Sequence, residues 1–254
     1  MGRTPVSRTV GTSLQQSGSL DPGLDAGTRT VGIKFTGLML SQKDFVRTFP
    51  VATKTDRDCE VPLLMEWIDR LGPIDSLLDI GCHYSEHYYA RLIRPRVRLY
   101  DGVDVAFDPP TGQVLNNYYL GNANKVELVP HDVVICVSTI EHSGLSTYKD
   151  DYVAERIKLF ARCVSLAKKH LWISFPIGQE HVEEGQLAII TAEHEAKFRK
   201  MIPPSAKVNQ RFFYSQGPQA GHPWNEHRKG DVAVRIPYME FIGNQSICVL
   251  EIDL

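Results

Sequence analysis

Ser76-Leu77-Leu78-Asp79-Ile80-Gly81-Cys82-His83-Tyr84-Ser85-Glu86 is an apolar run that ends in Asp-x-Gly. It predicts a buried parallel strand that breaks into a tight turn and then a helix. A second run, Val97 to Val103, ends at Asp104. A carboxylate about 20 residues beyond such a turn, at the tip of the next strand, is placed to hold a ribose diol. The two features together point to a nucleotide-like ligand.

The glycines that are missing narrow the choice. In a dinucleotide fold the second glycine of the turn lets backbone approach a pyrophosphate, and the third lets the helix pack on its strand. Here those places hold His83 and Glu86, so a pyrophosphate cofactor fits badly. S-adenosylmethionine has no phosphate and tolerates a bulkier turn. Asp79-Ile80-Gly81-Cys82 followed by Val103-Asp104 resembles the first two motifs of the class I S-adenosylmethionine-dependent methyltransferases. The chain departs from that family at His83, where glycine is usual, and at Ser85.

The rest of the chain alternates in the same way. Val61, Leu64, Met65, Ile68 and Leu71 recur at helical spacing before Gly72-Pro73. Tyr88, Tyr89, Leu92 and Ile93 predict a crossover helix ended before Pro95. Leu115 to Leu120 is a short strand candidate. Val133 to Val137 is a continuous apolar run, as in a strand covered on both faces. Asp150-Asp151 opens a helix carrying Val153, Ile157, Phe160 and Val164, with Lys168-Lys169 at its end. Leu171 to Phe175 is a strand, Thr191 to Met201 a helix, and Val208 to Tyr214 and Ile247 to Ile252 the last two strands. The expected fold is α/β, a Rossmann-like, mostly parallel seven-stranded sheet with helices on both faces.

The resemblance covers about Glu60 to Leu254 and implies a methyl transfer that needs no covalent intermediate. It implies that Gly81, Cys82 and His83 pass beneath the methionine end of the cofactor. Asp79 then favours its ammonium group or caps the following helix. Asp104 holds the ribose, with Asp101 and Asp108 as competitors. Asn122 takes the adenine position or is a plain turn residue beside Asn124. Val137-Ser138-Thr139-Ile140-Glu141-His142 is similar to the end of the fourth strand in many of these enzymes, which places Ser138 beside the cofactor. Glu141 and His142 fall at the carboxyl edge where open sheets bind ligands. A histidine there suits general-base work, unless the pair only packs on the sheet. His181 lies beyond the fifth strand, at the same edge. The connection Gly217 to Gly230 reads as a long loop that offers His222, Trp224, Glu226 and His227 to the acceptor. No spacing forces a metal site.

With 254 residues, 43% hydrophobic and 23% charged, the chain suits one large α/β domain. Residues 1–31 read as a flexible or extended arm and 32–254 as a single domain with a substrate-side loop at about 215–245. Net charge is -2 with no basic block, which argues against nonspecific nucleic-acid binding. The longest apolar run, Val133 to Ile140, falls short of a membrane span. Five cysteines without a Cys-x-x-Cys pair suggest a reducing, cytoplasmic compartment. The expectation is methyl transfer to a hydroxyl of a small molecule or glycan. Methylation of an RNA end and a noncatalytic scaffold are the alternatives; an NAD-dependent oxidoreductase is least favoured.

Overall fold

The computed structural model describes residues 45–50, 55–145, 152–179, 182–183, 187–215, 222–227 and 245–254. The arm expected over 1–31, His181 and most of the loop expected at 215–245 lie outside these. Leu40–Leu254 form one compact unit. No helix among the described residues is long and apolar enough to cross a membrane.

The sheet is built around β2 (Ile74–Ile80), β3 (Val97–Asp104), β4 (Asn117–Leu120), β5 (His131–Val137) and β6 (Ala167–Pro176). These five run parallel, in the order β4-β3-β2-β5-β6. Beyond β6, β11 (Gln245–Asp253) inserts antiparallel between β6 and β9 (Lys207–Ser215). Those seven match the expected sheet. The observed one is larger, because β10 (Trp224–His227) pairs with β9 and β1 (Phe45–Phe49) pairs with β10, both antiparallel. The described strands therefore make a nine-stranded sheet. A two-stranded ribbon, β7 (Val182–Glu183) and β8 (Leu187–Ala188), stands apart from it.

Successive residues of the central strands point to opposite faces, and here both faces are dry. Leu77, Val133, Ile135 and Trp172 pack with Leu63, Leu64, Trp67 and Ile68 of α1 (Arg57–Leu71). Leu78, Val134, Cys136 and Ile173 pack on the other face. Their partners are Leu159, Phe160 and Cys163 of α4 (Tyr152–Leu166) and Phe198 of α5 (Ala192–Arg199). Thr191 caps α5, its hydroxyl accepting from the His194 N–H. This two-sided burial explains the uninterrupted apolar run of β5.

Two local expectations change. The first crossover is not a full helix: three residues of 3-10 helix, Ser85–His87, precede α2 (Ala90–Ile93), which has only four. Tyr84 at φ 61 breaks the chain on one side, and on the other α2 runs directly into a second 3-10 turn, Arg94–Arg96, that contains Pro95. Ala90, Tyr89 and Ile93 are buried, whereas Tyr88 and Leu92 stay exposed. At the end of α4, Lys168 and Lys169 belong to β6 rather than to the helix, which passes directly into the strand. Lys169 there donates to Asp132 Oδ2 on neighbouring β5, at 2.8 Å. The remaining helix, α3 (Pro109–Val114), is capped by Asp108.

Candidate active site

The carboxyl ends of β2, β3 and β5 open onto a cavity of about 400 Å³. Gly81, His83, Asp104, Asn122, Ser138 and His142 all line it, together with Arg57. Six of the residues singled out by sequence thus converge, although they span more than sixty positions of chain.

Gly81 continues the sheet for one residue, its N–H donating to Val103 O at 2.9 Å, and then turns at φ 81. That left-handed value favours glycine. A Cβ built there would lie 2.1 Å from Thr139 Oγ1, the end of β5 having closed over the turn. The turn then crosses to Asp104, whose Oδ2 accepts from His83 N–H at 3.0 Å and whose Oδ1 accepts from Ala106 N–H at 3.1 Å. Each carboxylate oxygen still has a lone pair for a further donor. Asn122 uses its Oδ1 on the Asn124 N–H. Asn124 in turn donates to Glu155 of α4.

Asp101 and Asp108 are removed as ribose candidates. Asp101 is buried between Asn117 and His131, accepting from Asn117 at 2.9 Å with the His131 Nε2 at 3.1 Å. Asp108 spends its carboxylate on Thr111. Cys82 is fully buried, its Sγ packed under Gly102, and is absent from the cavity wall.

Asp79 also lies off the wall, so the influence expected on a ligand ammonium, direct or through water, is not exerted by direct contact at this wall. Nor does it cap the 3-10 helix that follows, Ser85–His87, which is entered through Tyr84 with no side-chain cap. It is wholly buried and accepts from Tyr100 Oη at 3.0 Å and Tyr89 Oη at 3.3 Å. Burial pushes its carboxyl up to about 7, against the pull of the two hydroxyls. Glu141, buried at the start of the turn after β5, is likewise raised to about 7 by burial. Both carboxyls titrate higher folded than unfolded, so the folded chain holds extra protons between about pH 4 and 7. Their stabilisation is full at the acid end of that window and is lost as pH rises through it. Asp79→Asn should therefore flatten the decline by roughly 2–4 kcal/mol, read from urea unfolding between pH 5 and 8. An equal loss of stability at every pH would show that Asp79 works as a carboxylate.

His142 is on the cavity wall with its side chain 55% exposed, Nε2 3.9 Å from Glu141 Oε1. That is ion-pair range, too long for a hydrogen bond. Glu141 Oε2 is buried with no hydrogen-bond partner. His222 and His227 are not brought here. Residues Trp224–His227, expected in a loop, form strand β10 near the opposite edge of the sheet. Trp224 fills the core there and donates to Thr55 O at 3.0 Å.

Sequence reasoning missed the first turn of α1, because the apolar periodicity starts only at Val61. Arg57 lies on the cavity wall and pairs with Glu60 and Asp56. Burial works against the guanidinium's charge, but Glu60 and Asp56 outweigh it and hold its pKa above the ordinary value. Behind the wall Ser138 donates its hydroxyl to Glu60 Oε1 at 2.6 Å. Two acids and an arginine at a helix start were the available signal, and on a surface helix that pattern is commonplace.

No protein-family model and no curated protein matches the chain. Solved structures do. The chain is 11% identical to a SAM-dependent methyltransferase from Leishmania major, over 77% of this chain and 72% of that one, with a TM-score of 0.50. A SAM-dependent methyltransferase from Archaeoglobus fulgidus aligns over 78% of this chain and 95% of its own, at 12% identity and TM-score 0.48. Magnesium protoporphyrin IX methyltransferase from Synechocystis PCC 6803 aligns over 75% and 81%, at 14% and 0.46. The strand order, with an antiparallel strand inserted beside β6, and the likeness to the Leishmania enzyme agree: this chain has the fold of the class I SAM-dependent methyltransferases.

Proposed function

We propose that the chain is a SAM-dependent methyltransferase that acts on a hydroxyl of a small molecule or sugar. The observation that carries this reading is the pairing of Asp104 with the Gly81 turn on one cavity wall. The donor set suits the cofactor. Asp104 can accept both ribose hydroxyls as charge-assisted hydrogen bonds. Arg57 offers a guanidinium to the methionine carboxylate. His83, also on the wall, has a buried Nδ1 without a hydrogen-bond partner. A pyrophosphate is served badly, since only three residues of 3-10 helix follow the turn, where a dinucleotide fold presents a helix N-terminus.

S-adenosylmethionine would supply a methyl group already activated by its leaving group. The chain's own tasks are to orient an acceptor and to take its proton. In this reading His142, exposed on the cavity wall, accepts that proton, and Glu141, 3.9 Å away, supports the imidazolium that results. Arg57 is the only arginine or lysine among the described lining residues. That favours a small acceptor over a polyanion.

Calorimetric titration with SAM, S-adenosylhomocysteine and NAD in parallel tests the proposal. Binding of the first two without the third is expected, and the reverse pattern would overturn it. Asp104→Ala should weaken SAM binding by about 1.5–3 kcal/mol while the core stays folded. Unchanged affinity in a folded variant would mean that the ribose is held elsewhere.

A further inference from the structure

We infer that the first turn of α1 makes this cavity discriminate by charge. Glu60 and Asp56 favour the cationic sulfonium cofactor over its neutral thioether product. The inference rests on the function proposed above and adds to it a means of limiting product inhibition.

Glu60 is a fully buried carboxylate one side chain behind the cavity wall. Its Oε1 accepts from Ser138 Oγ at 2.6 Å, and its Oε2 accepts from Arg57. Asp56 Oδ2 stands 3.3 Å from the same serine hydroxyl. Ser138 is itself held in a conformation that serine rarely adopts, φ 40. Its N–H is fixed by Ser174, with the backbone oxygen and Oγ each at 3.2 Å. Ser138 lines the cavity between Gly81 and His142. The wall at this point is thus clamped from α1 and from β6, and its backing is acidic.

The charges do not cancel. Burial and then Asp56 raise the Glu60 pKa, while Arg57 and the Ser138 and Ser174 hydroxyls favour its charged form. Arg57 offsets one of the two carboxylates, and the other, shared over Glu60 and Asp56, remains. Buried Glu141 lies close enough that Glu60 and Asp56 both help to raise its pKa. Such an excess of negative potential, poorly screened behind a buried wall, acts on any net charge in the cavity. SAM and S-adenosylhomocysteine share adenine, ribose, ammonium and carboxylate. They differ in one methyl and one positive charge at sulfur. Contacts of Asp104, Arg57 and Asn122 with the shared parts contribute equally to both ligands, so the ratio of the two affinities isolates the effect of the α1 turn. A purely structural Glu60 would shift both affinities together.

The test is calorimetry of SAM and S-adenosylhomocysteine on the full chain, on Glu60→Gln and on Asp56→Asn, at low ionic strength. Glu60→Gln should weaken SAM about ten-fold and its product less than two-fold. That is the order expected of one charge acting through a thin wall at an effective dielectric of about 20. Asp56→Asn, whose side chain is 29% exposed, should lower the SAM-to-product ratio about three-fold. Equal losses for both ligands, or an unchanged ratio in both variants, would overturn the inference. If thermal melts show Glu60→Gln to be unfolded, the ratio in Asp56→Asn decides the matter. A wild-type chain that binds neither ligand would instead sink the parent proposal.

Discussion

Gly81→Val should abolish SAM binding and destabilise the protein by roughly 3 kcal/mol or more. Sequence alone predicts only the first effect, with a modest loss of stability, because a side chain at this turn is expected to project into the ligand's path. The structure adds a collision. At φ 81 a β-branched residue is strained whatever the space around it. The new Cβ would also meet Thr139 at 2.1 to 2.6 Å. Thr139 cannot simply rotate away, since its hydroxyl donates to Val137 O at 3.0 Å and it follows the strained Ser138. The ends of β2 and β5 would have to separate, and the cavity wall with them. Urea unfolding and SAM calorimetry on the same sample separate the two effects. Gly81→Ala in a Thr139→Gly background removes the collision and keeps only the backbone penalty, so it should recover most of the stability. A folded Gly81→Val that binds SAM normally would show that this turn is not the methionine cradle.

His142→Ala should leave SAM affinity within about two-fold of wild type and lower turnover roughly 10²–10⁴-fold, the range for a positioned base. Its side chain is more than half exposed, so stability should hardly change. Glu141→Gln gives a second view of the same pair: it removes the nearby carboxylate without emptying its buried site, and should lower turnover less than His142→Ala does. Turnover of the histidine variant within a factor of three of wild type would make His142 a structural residue. His222 and His227 no longer stand in reserve, because neither lines the cavity: His227 ends β10, and His222, just before that strand, accepts at its backbone oxygen from the Ser215 hydroxyl. Should His142 fail, Glu141 stands next to it, buried off the cavity wall, its carboxyl raised by burial to about 7.

Much of this molecule is written in short stretches of chain. The parallel strands could be read from runs such as Val133 to Val137, since burial on both faces demands apolar residues at every position. The turn at Gly81 and the carboxylate at Asp104 were legible because strand ends impose local chemistry: one residue must adopt a left-handed φ, and the other must stop a strand. The register of β2 against β3 then aligns Ile80 with Val103. Two motifs far apart in sequence thereby reach one sheet edge without any further instruction.

What only the tertiary structure decided involves partners that no local pattern names. The edge strand β1 and its neighbour β10 are only five and four residues long, too short for a clear alternation. Their identity depends on the neighbour they pair with. Asp79 stood in the expected motif position, yet two tyrosine hydroxyls from Tyr89 and Tyr100 drew its carboxylate into the core and away from the ligand side. Ser138 and Glu60 meet across 78 residues of chain. Periodicity records how a residue meets water, because that is set by its own element. Whether a buried carboxylate finds a hydroxyl or a guanidinium is set by how one element packs on another, which is why the acidic turn of α1 became part of the site only once the helix lay against the end of β5.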